Sequence, residues 1–173
     1  PHGLQHYKQI YQDRHRKRWE IGDWTDDTDM MLCIADAVIE DKGVNFLNIA
    51  RHFKTWAEGM PMGLGSHTYK VLTIGDYAEK PFEVSYMAWK MSRYQSAANG
   101  GLMRTSVVGL FPKETTACAE KICQLTHYDP RCVGSCVIVS ELIHALVYGI
   151  ESPTCSQMKD IARQYDVEIC DYI

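Results

Sequence analysis

Apolar residues recur at helical spacing along most of the chain. In residues 28–41, Met31, Ile34, Ala35 and Val38 fall on one face of a helix. Residues 44–58 repeat the pattern with a longer apolar side, made of Phe46, Leu47, Ile49, Ala50, Phe53 and Trp56. The same reasoning predicts helices over residues 4–18 (polar), 83–94, 114–125, 130–150 and 155–165. With no alternation of strands and helices, the pattern predicts an all-α fold and a single multi-helix domain over residues 1–173.

Glycine and proline mark where these helices are interrupted. Gly59 ends the second one, and "MPMGLGS" (60–66) is predicted to be a loop that leads into a short segment up to Ile74. "AANGG" (97–101) ends the helix before it. Asp129 before Pro130 is the expected pairing of an N-cap with a first helical position. The last residues, "YDVEICDYI", have a β-like composition.

Residues 132–150 come closest to the length of a membrane span. Glu141 and His144 lie well inside that segment, where ionisable side chains would be costly in lipid. The segment therefore indicates a buried core helix, and we expect no membrane partner.

Composition and charge narrow the class of protein further. A net charge of −4 gives no general reason to expect direct nucleic-acid binding, and the short basic run 14–18 is typical of a solvated helix face. The seven cysteines include no CxxC pair and no zinc-type spacing, so they are expected to be free thiols. Together with polar first residues that lack a signal core, they favour a reducing, cytoplasmic location.

The stretch "GDWTDDTD" (22–29) crowds four carboxylates ahead of an apolar helix. Acidic and hydroxyl residues are favoured at helix N-termini, so a cap is one interpretation. A cap needs only one or two such residues, however, and four clustered carboxylates repel one another unless a positive charge lies among them. Thr25, Asp26 and Asp27 carry oxygen ligands of the kind that Mg²⁺ prefers. A calcium loop is excluded, because Thr28 and Ile34 stand where it needs Gly and Glu.

Two further segments and two single residues allow two interpretations each. Gly63-x-Gly65 before a helix is either a plain turn or a loop whose backbone N–H groups approach a diphosphate. Asn99-Gly100-Gly101 is a common turn that can also contact a ligand. His127 is either a ligand contact or an ordinary histidine at a helix entrance, and Arg104 is either an ion-pair partner or a ligand contact.

Four of these segments, in order, resemble the ADP-ribosylglycohydrolase family. "GDWTDDTDMML" is similar to the family's Trp/Tyr-Thr-Asp-Asp-Thr-x-Met signature, and "MGLGSHTYKVL" (62–72) resembles its Gly-x-Gly loop. "AANGGLMRTSVVGLF" (97–111) resembles its Asn-Gly-x-x-Met-Arg segment. "AEKICQLTHYDPRCVGSCVIVSELIHAL" (119–146) resembles its Leu-Thr-His segment and the long apolar helix that follows.

The resemblance implies an all-α enzyme that removes ADP-ribose from a modified group with two Mg²⁺ ions. It assigns metal ligation to Thr25, Asp26 and Asp27, with Asp26 and Asp27 as the catalytic carboxylates. It assigns contacts with ADP-ribose, or with an ADP-ribosylated protein, to Gly63, Gly65, Ser66, Ser96, Asn99, Gly100 and His127.

Two elements of the family pattern have no match in this sequence. They are an N-terminal Gly-Asp-x-x-Gly helix and a C-terminal Asp-x-Asp-Thr motif that completes the metal site. We therefore expect this chain to be the central portion of a longer protein rather than a shortened member. Two functions follow as hypotheses: a Mg²⁺-dependent ADP-ribosyl hydrolase, or a catalytically inactive relative with a binding or structural, crystallin-like role.

Overall fold

The computed structural model describes residues 22–59 and 61–173, together with positions 14, 17 and 20. The predicted helix 4–18 and most of the basic run 14–18 lie outside the described residues. The α-helices are α1 Asp26–Asp41, α2 Phe46–Glu58, α3 Ser66–Leu72, α4 Pro81–Met91, α5 Thr115–Gln124, α6 Pro130–Tyr148 and α7 Cys155–Tyr165. Three 3₁₀ helices cover Gly75–Ala78, Leu102–Leu110 and Val167–Tyr172.

The all-α prediction is confirmed, since every regular element in the described part of the chain is helical. Helix starts follow local chemistry. The side chain of Asp129 accepts a hydrogen bond from Arg131 N at the start of α6, as the Asp-Pro pair predicted. At the start of α7, Thr154 and Gln157 form a reciprocal capping box.

The core is built around α6 and the 3₁₀ helix Leu102–Leu110, which packs against it and against α1. Gly109 lets these two elements approach closely, because a Cβ there would lie 2.6 Å from Ile143 Cβ. α5 and α7 cover other sides of α6, and α2 packs on α1. The 3₁₀ helix therefore connects α1 to α6, the longest helix of the described residues.

Three predictions about individual residues and segments need correction. The fully buried side of α1 is Met30, Ile34 and Ala37, and the predicted Met31, Ala35 and Val38 lie at its margin. Leu47 of α2 is exposed rather than buried. The β-like C-terminus is the 3₁₀ helix Val167–Tyr172, because the side chain of Asp166 caps it by accepting from Glu168 N.

α6 is the one helix in the described residues whose length and hydropathy would suit a membrane span. Of its 18-residue apolar window, 44% is buried inside the protein. Its buried residues, among them Val133, Cys136 and Val137, belong to the hydrophobic core, in agreement with the interpretation drawn from Glu141 and His144.

Candidate functional site

The acidic residues at the start of α1 divide into two groups by their hydrogen bonds. Asp29 accepts from the indole Nε1 of Trp24 at 2.8 Å and of Trp56 at 3.0 Å, and Asp23 accepts from the backbone N of Glu20. These two carboxylates therefore hold local structure. Asp26 and Asp27 instead accept hydrogen bonds from residues of the candidate site itself, namely from Thr25 and, for Asp26, from the backbone of Gly65.

Thr25 is the N-cap residue of α1, but its side chain makes no capping hydrogen bond. Its hydroxyl instead donates to Asp27 Oδ2 at 3.1 Å. Thr25 therefore does not act as a side-chain cap, while Asp26, Asp27 and Asp29 still lie in the first turn, where the helix dipole favours acidic residues. Thr25, Asp26 and Asp27 present their oxygen atoms as one group.

Asp26 is a buried carboxyl with an acidic neighbour. Burial raises its pKa above the ordinary range, and the charge of Asp27 raises it further. Hydrogen bonds from its own backbone, from Thr25 and from the backbone of Gly65 partly oppose that rise. Among the described residues no lysine or arginine forms an ion pair with Asp26 or Asp27. Within the described residues, no ion pair therefore offsets the charge of these two carboxylates.

The glycine loop lies directly against this pair. Gly63 has φ +82°, and a Cβ there would lie 2.6 Å from Asp26 Oδ1 and 3.0 Å from Thr25 Cβ. Only glycine fits both this backbone conformation and this approach. Gly65 is the N-cap of α3 and has open space around it. The structure thus brings the first and second predicted segments together.

Ser66 and Ser96 line a cleft of about 730 Å³ beside that loop, together with His67. His67 connects two distant segments: its Nδ1 lies 2.7 Å from Ser96 Oγ and its Nε2 lies 2.9 Å from the carbonyl oxygen of Thr126. Asn99 is placed differently, because it lines a neighbouring cleft of about 330 Å³ that also includes Cys132.

His127 is completely buried, and its Nε2 has no hydrogen-bond partner among the described residues. The ring packs against Gly100, where a Cβ would lie 2.8 Å from His127 Cε1. Its centroid is 4.7 Å from that of His67. Burial holds the pKa of His127 well below the ordinary value, and the charge of Arg104 lowers it further. His127 is therefore a neutral histidine at neutral pH.

Arg104 takes neither of the two roles considered for it. It is fully buried, donates to Ile122 O at 3.0 Å and to Thr126 Oγ1 at 2.7 Å, and lies over the ring of Phe53. Because arginine only donates, Thr126 Oγ1 accepts from it, and the Thr126 hydroxyl proton is free for His127 Nδ1 at 2.7 Å. Arg104 thereby orients the histidine.

The predicted residues thus form two adjoining groups. One is the acidic start of α1 with the Gly63–Gly65 loop, and the other joins Ser66, Ser96, Gly100 and His127 through contacts of His67. Sequence reasoning missed His67, Thr126 and the orienting role of Arg104. The one available signal was that His67 follows the Gly-x-Gly-Ser run directly.

The residues present offer the kind of ligand atoms that a hard divalent cation binds, but too few of them to complete its coordination shell. Thr25, Asp26 and Asp27 supply oxygen ligands, and the Gly63 backbone forms a close wall beside them. In the part of the chain that the structure describes, no group of three or more His, Cys, Asp or Glu side chains is arranged to hold a metal ion. These three residues would supply part of a coordination shell.

The fold and site define an all-α protein in which a glycine loop packs against the acidic start of a helix and leads into a cleft lined by Ser66, His67 and Ser96. The sequence profile of the ADP-ribosylglycohydrolase family matches residues 1–169. The chain belongs to the ADP-ribosylglycohydrolase family.

Curated relatives agree at low identity. An ADP-ribosylarginine hydrolase Tri1 from Pseudomonas putida (strain GB-1) is 24% identical over 142 residues, which cover 78% of this chain and 38% of the relative. A protein of the same name from Serratia proteamaculans (strain 568) is 23% identical over 141 residues, covering 76% and 37%. The chain therefore spans less than two fifths of the length of these relatives.

Proposed function

We propose that this chain contributes to a Mg²⁺-dependent hydrolase that releases ADP-ribose from an ADP-ribosylated arginine of a protein. The family and the names of the two relatives support the reaction and the arginine linkage. The observation that carries the proposal is the close approach of Gly63 to Asp26, which supports a joint role for the glycine loop and the acidic start of α1.

Each group has a separate task in this reaction. Mg²⁺ bound by Thr25, Asp26 and Asp27 would polarise the glycosidic centre and lower the pKa of an attacking water. The backbone of Gly65 donates to Asp26, so this part of the loop would support the metal-binding carboxylate. The half-buried Ser96 lines the cleft, and the buried His127 packs against His67, which also lines it. The low pKa of His127 keeps its ring uncharged, so it acts as a hydrogen-bonding group rather than as a cation.

The test is hydrolysis of an ADP-ribosylated arginine compound by the chain in Mg²⁺ and in EDTA. We expect release of ADP-ribose that needs Mg²⁺ and that is lost in Asp26→Asn. Release that continues in EDTA would contradict the metal role, and a stable ADP-ribosylated arginine in Mg²⁺ would contradict hydrolysis by this chain.

A second candidate function is ADP-ribose binding without catalysis. The specific observation in its favour is the incomplete cluster: three oxygen-bearing residues, and no further acidic group near enough within the described residues. A thermal melt of the chain with Mg²⁺ and ADP-ribose separates the two candidates. A raised midpoint without any release of ADP-ribose supports binding alone, because a ligand of the native state stabilises it whether or not chemistry follows.

A further inference from the structure

His67 is hydrogen-bonded to Ser96 and to Thr126, and the chemistry of these groups determines which atom is the donor in each bond. The carbonyl oxygen of Thr126 can only accept, so the His67 Nε2 atom, 2.9 Å away, carries the proton and donates it. In a neutral imidazole the other nitrogen is then a lone-pair acceptor. Ser96 Oγ, 2.7 Å from Nδ1, must therefore donate its hydroxyl proton to His67.

The surroundings of His67 keep the ring neutral. Burial lowers its pKa below the ordinary value, and the charges of Lys70 and Arg104 lower it further, although the bond to Thr126 opposes them. The His127 ring beside it is also uncharged. Since the ring stays neutral at physiological pH, the direction of the Ser96 hydroxyl is set by the protein.

This arrangement has a consequence for the cleft that Ser96 and His67 share. With its only proton committed to His67, Ser96 presents lone pairs alone to whatever occupies the cleft. A phosphate oxygen, itself an acceptor, would have to draw that proton away and leave His67 Nδ1 without a partner. A donor on the ligand meets no such conflict.

We propose that His67 is a positioning residue that fixes Ser96 as a hydrogen-bond acceptor, so that the ligand group seated against Ser96 is a sugar hydroxyl or an amino group and not a phosphate oxygen. The inference rests on the proposed function, because it takes ADP-ribose as the occupant of the cleft. It assigns a role to His67, to which the family resemblance gave none, and a chemical requirement to the ligand group beside Ser96.

The first test needs no ligand. Long-range ¹⁵N–¹H correlation spectra of the imidazole rings report which nitrogen of His67 carries the proton, and His67→Gln assigns its signals. We expect the neutral form protonated on Nε2 at pH 7. A ring protonated on Nδ1 would overturn the proposal, since Ser96 would then be the acceptor of that bond.

The second test compares ADP-ribose dissociation constants of three proteins by calorimetry. In His67→Gln the amide can still donate to Thr126 and accept from Ser96, so we expect affinity within about threefold of the wild type. In His67→Leu both bonds are lost, and we expect affinity to fall about tenfold or more. An unchanged affinity in His67→Leu would overturn the positioning role.

The control variant is Ser96→Ala, which removes the acceptor but keeps His67. We expect it to weaken ADP-ribose binding by about the same factor as His67→Leu, and it decides the question if the leucine variant does not fold. Unchanged affinity in Ser96→Ala would also overturn the proposal. If instead the wild-type chain fails to bind ADP-ribose, the proposed function is wrong, and the proton position still decides the direction of the Ser96 bond.

Discussion

The surroundings of Asp26 disfavour the charged form of its carboxyl group. Its carboxyl is buried, Asp27 follows it directly, and Gly63 packs against one of its oxygens. Residues kept in such positions commonly lower the stability of the fold in exchange for a function. The position of Asp27 is different, because that side chain is exposed.

We predict that Asp26→Asn raises the unfolding midpoint of the metal-free chain by about 2–4 °C, the shift expected for roughly 1 kcal/mol in a protein of this size. The amide removes the buried charge and its repulsion by Asp27. A thermal melt in EDTA measures the shift, with Asp27→Asn as the matched control, which should leave the midpoint nearly unchanged. A lower midpoint for Asp26→Asn would contradict the electrostatic argument.

Both variants should also lose any Mg²⁺-induced rise of the midpoint while remaining folded, because asparagine is as good as aspartate near a helix start. Melts with and without Mg²⁺ measure this difference. If both variants keep the full response to Mg²⁺, these carboxylates are not its ligands.

Acid pH should destabilise the fold through His127. Its pKa is well below the ordinary 6.5 in the folded protein because it is buried. Above pH 6.5 the ring is neutral in both the folded and the unfolded chain, so His127 does not lower the free energy of unfolding there. As the pH falls below 6.5 the unfolded chain takes up a proton that the folded chain resists, so stability falls by up to about 1.4 kcal/mol per pH unit until the folded pKa is reached.

Urea unfolding at pH 7.5, 6.0 and 5.0 measures this loss. The control is His127→Gln, which cannot titrate and should reduce the dependence on pH. An identical pH dependence in His127→Gln would show that other groups cause the loss.

At the scale of single residues, the sequence was informative where chemistry is concentrated in consecutive positions. The Thr25–Asp27 run and the Gly63–Gly65 pair attract notice by composition alone, although their contact does not. The bonds of His67 to Ser96 and to Thr126 join residues 29 and 59 positions apart. Such contacts depend on how the helices pack, and no local pattern indicates them.

Between elements, the two glycines of the 63–65 loop have different roles. Gly63 has a positive φ and contacts Asp26, while Gly65 has an ordinary φ and open space around it. We predict that Gly63→Ala lowers the free energy of unfolding by about 1–3 kcal/mol, since the side chain meets both backbone strain and a close contact. Gly65→Ala should change it by less than about 0.5 kcal/mol.

Urea unfolding of the two variants measures both values. Equal effects at the two positions would mean that the loop does not lie against the acidic start of α1.

The starts of α6 and α7 should differ in their contributions to stability. Asp129 caps α6, is bound by the guanidinium of Arg131, and accepts from Trp89 Nε1 at 3.2 Å. Thr154 caps α7 in a solvent-exposed capping box. We predict a loss of about 3 kcal/mol for Asp129→Ala, because the cap bond, the ion pair with Arg131 and the bond from Trp89 Nε1 are lost together at one buried carboxylate. Thr154→Ala should cost about 1 kcal/mol.

Chemical denaturation of both variants measures the difference. A loss for Asp129→Ala no larger than that for Thr154→Ala would mean that its bond to Trp89 adds nothing to the cap.

Helices with clear periodicity and a recognisable start were predictable, and α6 and α7 lie close to their predicted bounds. The 3₁₀ helix Leu102–Leu110 was not predicted, because it follows the Gly100-Gly101 pair and takes its conformation from packing between α1 and α6. The C-terminal 3₁₀ helix was missed for a similar reason, since Ile169 turns inward to pack on α6 and α7.

In the molecule as a whole, the solvent exposure of the seven cysteine side chains shows how much of the core is accessible to water. All seven cysteines are free, as predicted, and only Cys155 is exposed. Burial raises the pKa of Cys33 to about 11 and of Cys132 to about 12, so both remain unreactive thiols at neutral pH.

We predict that a thiol reagent such as Ellman's reagent at pH 8 modifies about one cysteine rapidly in the native chain and all of them in guanidinium. Cys155→Ser is the control and should remove the rapid phase. Several rapid thiols in the native chain would show that the core opens more readily than its packing indicates.

The turn at Gly100 and Gly101 has a consequence for how the chain tolerates change. A side chain on Gly100 would strike His127, whereas one on Gly101 would come within 2.8 Å of Cys123 in the core. Both positions are thus held small by buried groups, His127 and Thr68 at the first and Cys123 at the second. In a saturation library, selection for soluble, folded protein should therefore reject substitutions at both positions before ligand binding is selected.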